Sequence, residues 1–288
     1  MRPVRPGGPL RSSRSSREAP EVPSPARAGA ARPPLALAPL AVAGAAFLLL
    51  PLVGLLWRTP WSRLGALLTT EVAIDALRLS LWTSVTATAM ALVLGVPLAW
   101  VLARTELPGR TLLRALVTLP MVLPPVVGGA ALLFALGRQG LVGRWLDQQL
   151  GVVLAFSPAG VVVTQAFVAM PFLVVTVEAA LRSADRRYEE AATTLGAGPW
   201  TVFRRVTVPL AAPAVLAGTV LCWARALGEF GATITFAGNL PGRTQTMPLA
   251  VFLALETDRG AALALSLVLV ATSLAVLVAL RDRWLALR

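Results

Sequence analysis

Two ionisable side chains stand in an otherwise apolar stretch, and their types and spacing suit either a buried ion pair or the attraction of an anion. Arg225 and Glu229 lie four residues apart in WARALGEFGATITFAGNLPGRTQT, which places both on one face of a helix. If that helix starts near Pro209 and spans a membrane, Arg225 lies about 24 Å along its axis. Charges at such depth usually face each other, a bundle interior or a cavity. The two interpretations are mutual pairing and an arginine that attracts an anion along a pathway.

Few other residues could support bond chemistry. The chain contains no histidine and no lysine, and Cys222 is its one cysteine. Histidine is the commonest general base and metal ligand, and a phosphate-binding Walker A loop requires lysine. The only adjacent carboxylates in a polar loop are Glu189 and Glu190. We therefore expect no catalytic residue, no metal and no cofactor, so that any ATP must be bound by another chain, and a membrane-embedded enzyme is disfavoured.

The composition and the apolar runs predict an all-α polytopic membrane protein. Hydrophobic residues make up 56% of the 288 residues and charged residues 14%, against about 25% charged in typical soluble domains. A spanning helix needs about 20 apolar residues. Six runs without Asp, Glu or Arg approach or exceed that length: 33–57, 79–103, 115–137, 148–177, 206–224 and 260–280. Six transmembrane helices are predicted.

Arginines are concentrated in alternate loops, which predicts the orientation. They cluster before the first run, in 104–114, in 182–205 and after residue 280. The other loops carry few arginines, and acidic residues balance most of them. By the positive-inside bias, both termini face the cytoplasm.

The predicted domain organisation follows from these boundaries. Residues 1–33 are rich in Arg, Pro, Ser and Gly and are expected to form a disordered basic cytoplasmic tail rather than an arm that binds nucleic acid. Residues 34–76 would hold the first transmembrane helix and an outer loop. A core at 77–281 would contain a cytoplasmic loop at 182–208, and 282–288 would be a short cytoplasmic C-terminus.

The long loop between the fourth and fifth runs contains the stretch EEAATTLGAGPWTVFRRVTVPLAAP, residues 189–213. Its first part predicts a short helix with an apolar stripe, which Gly196 ends, and Pro199 would open a second short helix through Val206. Ala191 and Ala192 would let a partner's backbone approach closely, and Glu190 would offer charge. A docking surface is one interpretation, and an amphipathic helix lying on the membrane is the other.

Prolines break the third run, in which Pro120, Pro124 and Pro125 precede Gly128 and Gly129. Proline kinks helices, and broken backbone is tolerated at membrane depth where protein or a cavity satisfies it. The run is interpreted either as lining a pathway or as a kink set by packing.

The docking loop resembles a known motif. It is similar to the EAA loop of ABC importer permeases, with valine where isoleucine and leucine are usual. The matching residues are Glu190-Ala191-Ala192, then Gly196 after three residues, Val206 after nine more, and Val208-Pro209. The stretch GEFGATITFAGNLPGRTQT resembles molybdate permeases first and sulfate permeases next.

This resemblance implies a type I ABC importer permease fold in the inner membrane and a coupling role for Glu190, Ala191, Ala192 and Gly196. It also implies two ATP-binding subunits that hydrolyse ATP, a second copy of the permease, an extracytoplasmic substrate-binding protein and no nucleic-acid partner. Molybdate would be the cargo, with tungstate or sulfate and thiosulfate as alternatives. A transporter that works without ATP is the other class, which inverted repeats or more buried charges would indicate.

Overall fold

The fold is a set of α-helices joined by short connections, seen in a computed structural model that describes residues 37–285. Within that range there is no β-strand. The predicted tail at 1–33 lies outside the described residues. The helices are α1 Ala38–Arg58, α2 Leu64–Leu68, α3 Glu71–Arg104, α4 Arg110–Val122, α5 Pro125–Leu136, α6 Gly143–Leu150, α7 Pro158–Ser183, α8 Arg187–Thr194, α9 Pro199–Val202, α10 Val208–Leu227, α11 Gly231–Phe236, α12 Met247–Thr257 and α13 Arg259–Leu285.

The chain divides into two compact units, residues 1–51 and 52–288. The described part of the first unit is the N-terminal portion of α1, an apolar helix interrupted only by Pro51. All the remaining helices belong to the second unit.

Within residues 37–285, five helical stretches are long and apolar enough to cross a membrane: α1, α3, α7, the continuous helix Pro199–Leu227 that contains α9 and α10, and α13. The all-α polytopic fold is therefore confirmed. The third predicted span, 115–137, is not a single helix, because α4 and α5 are bent by 118° at Leu123 and Pro124. Pro124 and Pro125 have no N–H to continue the ladder, and Leu123 takes the extended conformation favoured before proline.

Two spans begin away from the ends of the charge-free runs. The second span, α3, starts at Glu71 rather than near residue 79, and so includes Glu71, Asp75 and Arg78 ahead of the charge-free run. The side chain of Thr70 caps it by accepting from the N–H of Ala73 at 3.4 Å. The fourth span, α7, starts at Pro158 rather than near residue 148. The intervening residues include the left-handed Gly151, which ends α6.

The core lies where α3, α7 and α10 pack together, and small residues allow their backbones to approach. The buried face of α3 repeats Ala87, Ala91, Gly95, Ala99 and Ala103. A Cβ at Gly95 would stand 3.2 Å from Val174 of α7. On α10, a Cβ at Gly218 would stand 2.9 Å from Leu173. Glycine and alanine thus set the spacing of these three helices.

A second close contact joins α5 to α11. A Cβ at Gly129 would lie 2.7 Å from the carbonyl oxygen of Ala232, and one at Gly231 would lie 2.7 Å from Cβ of Pro125. Neither helix is long enough to cross a membrane alone. The bent pair is therefore held in place by the segment that follows the Arg225 and Glu229 pair.

Candidate coupling surface and buried ion pairs

The loop after α7 forms a short helix and a glycine corner. Helix α8 ends at Thr194, and Gly196 follows with φ of +85°, a left-handed conformation that glycine adopts without steric cost. The chain then turns into the helix that starts at Pro199. The corner places α8 beside the start of the fifth span.

The second short helix predicted to end at Val206 is wrong. From Pro199 the helix continues without a break to Leu227, and residues Phe203–Thr207 form a π-helical turn within it. Pro209 cannot donate to the carbonyl four residues earlier, and its ring crowds that carbonyl. The carbonyl belongs to Arg205, inside the wider π turn, which can absorb the misfit.

One stripe of α8 and its corner is apolar among exposed polar side chains, and it has no partner among the described residues. The side chains of Tyr188 and Leu195 are 61% and 89% exposed. Ala191 is exposed and Ala192 is half-buried. Exposed apolar groups in a contiguous patch mark interaction sites. This surface, defined by Tyr188, Ala191, Ala192 and Leu195 and called the docking stripe below, suits contact with another protein.

Two neighbouring carboxylates at the docking stripe have different surroundings. Glu190 is exposed, and its side chain makes no hydrogen bond or ion pair within residues 37–285. Glu189 points inward, where its Oε1 lies 3.2 Å from Nη2 of Arg104 and accepts a hydrogen bond from Oγ1 of Thr207 at 2.8 Å. Sequence reasoning assigned no role to Glu189, because its partners are far away along the chain.

Arg225 and Glu229 form an ion pair in the structure, with 2.6 Å between Nη1 and Oε2. The side chain of Glu229 is 1% exposed and that of Arg225 is 29% exposed. The expectation that both stand on one helix was wrong, since α10 ends at Leu227 and Glu229 lies in the link before α11. There its Oε1 accepts from the N–H of Ala232 at 2.8 Å. Glu229 therefore both neutralises the arginine and caps the next helix.

A third ion cluster was not predicted from the sequence. Glu178 of α7 is buried and accepts from Arg114 of α4, with Nε to Oε1 at 2.9 Å and a second bond from Nη2. Nη1 of Arg182 lies 3.7 Å from the same oxygen. A cavity of about 590 Å³ lies beside these side chains. The cluster ties the first half of the bent pair to α7.

The predicted prolines occupy different places in the bent pair. Pro120 lies within α4, Pro124 precedes α5, and Pro125 is the first residue of α5. Pro125 is the residue that meets Gly231 of α11. The prolines and the Arg225 and Glu229 pair are thus brought to adjoining segments, whereas the docking stripe belongs to the loop between α7 and the helix that starts at Pro199.

Two further facts concern the ionisable side chains of residues 37–285. No group of three or more His, Cys, Asp or Glu side chains stands close enough to hold a metal ion there. Outside the spanning segments, Asp147 raises the pKa of Arg138, mainly by a side-chain hydrogen bond and then by its charge. That pair is exposed and only strengthens a charge that arginine carries at any physiological pH.

Long apolar helices and a bent pair of helices are the architecture of a polytopic membrane protein. The chain belongs to the family described as the binding-protein-dependent transport system inner membrane component, whose sequence profile matches residues 91–288. It is therefore a multi-pass membrane protein and a permease subunit of an ABC importer, as the loop motif predicted.

Similar proteins agree with this assignment. The chain is 50% identical over 245 residues to the molybdenum transport system permease protein ModB of Mycobacterium tuberculosis, covering 84% of this chain and 92% of that protein. It is 38% identical over 234 residues to the sulfate transport system permease protein CysT of Escherichia coli, covering 80% and 84%. A bacterial alginate ABC transporter solved with a pentasaccharide-bound periplasmic protein shares the fold with a TM-score of 0.69 at 19% identity, covering 84% and 90%. The predicted type I importer fold is confirmed.

Proposed function

We propose that the chain forms the transmembrane path of an ATP-driven importer that brings molybdate into the cytoplasm. The observation that carries this proposal is the 50% identity to a molybdenum permease over 84% of the chain. At that similarity the path is expected to accept the same class of cargo, a tetrahedral oxyanion. Because the chain has no lysine for a phosphate loop, ATP is bound and hydrolysed on separate subunits.

The docking stripe is the proposed contact with an ATP-binding subunit, with Glu190, Ala191, Ala192 and Gly196 as the coupling residues. Exposed apolar side chains on a helix that ends at a glycine corner support this role. Two permease copies would pair about a two-fold axis, each with one ATP-binding subunit. A substrate-binding protein would deliver the cargo from outside, as the solved alginate transporter includes a periplasmic protein.

Transport would proceed by alternating access. ATP-driven closure of the two ATP-binding subunits would bring the docking stripes together and open the path outward, and hydrolysis would reverse the movement. The cargo undergoes no bond chemistry in the permease. The substrate-binding protein would provide most of the selectivity, by matching its hydrogen-bond donors to the oxyanion. The bent pair with Pro120, Pro124 and Pro125 is the proposed pathway element. The Arg225 and Glu229 pair beside it is proposed to be a structural ion pair, with an arginine that attracts the anion as the alternative.

Sulfate, thiosulfate and tungstate are the alternative cargoes, and the 38% identity to a sulfate permease keeps sulfate in consideration. A transporter that works without ATP is the less supported class, because the docking stripe would then have no partner to meet.

The cargo is tested by reconstitution of the permease with its binding protein and ATP-binding subunits in vesicles. We expect ATP-dependent accumulation of molybdate and tungstate, with a large molar excess of sulfate competing weakly. The vesicles would be loaded with ATP or with a non-hydrolysable analogue as the control. Sulfate uptake without molybdate uptake would assign the chain to the sulfate transporters, and uptake of molybdate without ATP would reject the importer mechanism.

The topology prediction rests on the arginine bias and on the bent pair. If α4 and α5 together cross the membrane once, reporter fusions after Glu106, Gln149, Arg243 and Arg288 will report inside, outside, outside and inside. If α4 and α5 instead enter and leave on one side, Glu106 and Gln149 will report the same side. That result would also place the arginine-rich loop at 182–205 outside, against the positive-inside bias.

A further inference from the structure

The carboxylate of Glu189 joins three elements at one end of the bundle. It belongs to α8, its Oε1 meets Arg104 at the last residue of α3 at 3.2 Å, and the same oxygen accepts from Thr207 in the π turn at 2.8 Å. The side chains of Arg104 and Glu189 are only 6% and 18% exposed, and Thr207 is 2% exposed. A short loop helix is thus tied to the longest span and to the start of another by one half-buried carboxylate.

One turn away, aromatic side chains join α3 to the helix that starts at Pro199. The ring of Phe203, in the π turn, meets Trp100 of α3 edge-on, with 5.7 Å between centroids. Trp200 of α9 stacks on Phe203 at 5.6 Å. The end of α3 and the start of the helix from Pro199 therefore meet at two contacts: a polar contact through Arg104, Glu189 and Thr207, and an aromatic contact through Trp100 and Phe203. Only the polar contact includes α8.

The polar contact between Glu189, Arg104 and Thr207 depends on the charge of Glu189. Nη2 of Arg104 forms an ion pair with Glu189 at 3.2 Å, while Nε of the same guanidinium is buried and has no hydrogen-bond partner among the described residues. The attraction between the two side chains therefore rests on their opposite charges, and it is lost when the carboxylate becomes a neutral amide. Glu190, next in the chain, is exposed and free to meet a partner protein.

We propose that Glu189 is a positioning residue that transmits the movement of the docking stripe to α3 and to the helix from Pro199, a role that rests on the proposed coupling function. Adjacent carboxylates then divide the work, since Glu190 faces the ATP-binding subunit and Glu189 faces the bundle. When the ATP-binding subunits move α8, the Glu189, Arg104 and Thr207 node carries the displacement to two spans at once. The loop would otherwise flex at its glycine corner.

The test uses the full complex in vesicles and measures three quantities: copurification of the ATP-binding subunit, ATPase activity stimulated by the loaded binding protein, and molybdate uptake. Glu189→Gln keeps an acceptor for Thr207 but removes the charge. We expect it to retain copurification and stimulated ATPase activity while uptake per ATP hydrolysed falls about tenfold. Glu106→Gln, an exposed carboxylate just beyond α3, is the matched control and is expected to change none of the three.

Exchange of the charges of Glu189 and Arg104 shows whether the loss of uptake comes from the lost ion pair or from general loss of structure. Glu189→Arg alone places two arginines together and is expected to stop uptake, whereas Glu189→Arg with Arg104→Glu is expected to recover a large part of it. Should Glu189→Gln fail to assemble, Thr207→Val tests the second bond of the node and is expected to lower uptake per ATP less severely. An unchanged ratio of uptake to ATP hydrolysis in Glu189→Gln and in Thr207→Val would overturn the proposal.

The experiment distinguishes failure of the proposed cargo from failure of the proposed role of Glu189. A wild-type complex with ATPase activity that the binding protein stimulates, but without molybdate uptake, would contradict the proposed cargo. The node would then be tested by uptake of whichever oxyanion the complex accumulates. Normal molybdate uptake in the wild type together with normal uptake per ATP in the Glu189 variants would contradict the node alone.

Discussion

Gly196→Val is expected to abolish ATP-dependent uptake while leaving the permease in the membrane. Gly196 has φ of +85°, and an L-residue in the left-handed region costs about 1–2 kcal/mol, more when it is β-branched. No atom beyond its neighbours lies within 4 Å of a Cβ built there, so the effect must come from the backbone. The corner would open and the docking stripe would lose its place beside the fifth span. Uptake and copurification of the ATP-binding subunit measure the result.

Gly198 provides the matched control in the same loop. A Cβ there also meets nothing within 4 Å, but its φ is −67°, which any residue can adopt. Gly198→Val is therefore expected to keep uptake near the wild-type level. Ala192→Arg, which adds bulk and charge to the docking stripe, is expected to stop uptake as Gly196→Val does. Normal uptake in both Gly196→Val and Ala192→Arg would reject the coupling surface.

Arg225→Ala is expected to reduce the amount of folded permease in the membrane more than other single changes in the helix from Pro199. It would leave the carboxylate of Glu229, 1% exposed, without its cation. Breaking a buried pair in this way costs about 3–5 kcal/mol. The yield and the apparent Tm of the detergent-solubilised protein measure the loss.

Two further variants separate the charge of Glu229 from its capping role. Glu229→Gln keeps an oxygen that can accept from the N–H of Ala232, and it is expected to destabilise less than Glu229→Ala. Exchange of the two residues restores the opposite charges but puts an arginine, which cannot accept, at the start of α11, so we expect partial recovery only. If Arg225→Ala assembles normally and loses uptake alone, Arg225 acts on the anion in the pathway and the structural interpretation is wrong.

The ion clusters differ in what each would do during transport. The Arg225 and Glu229 pair lies within one stretch of chain and connects α10 to α11. The Glu178 cluster connects the bent pair to α7, and the Glu189 node connects the loop to α3. The second and third join segments far apart in sequence, so they are the contacts that a rearrangement of helices would have to preserve or break.

Local sequence determined the class of the protein, because the relevant physics acts over a few residues. Apolar runs of spanning length require a membrane, and prolines in succession require a broken helix. A glycine between two helix-forming stretches predicts a corner, as found at Gly196. The absence of lysine excludes a Walker A loop whatever the fold. The resemblance of residues 189–209 to a loop motif then led to the family.

The tertiary structure alone decided how the helices end and which charges meet. The break at Pro124 becomes a bend of 118° because α5 packs on α11 through Gly129 and Gly231, a contact between distant segments. The helix from Pro199 continues past Val206 because a π turn absorbs the proline misfit. The sequence indicated a role for Glu190 and none for Glu189, yet Glu189 is held by Arg104 and Thr207 while Glu190 is exposed. Such partners depend on packing between segments distant along the chain, and periodicity within one segment carries no information about them.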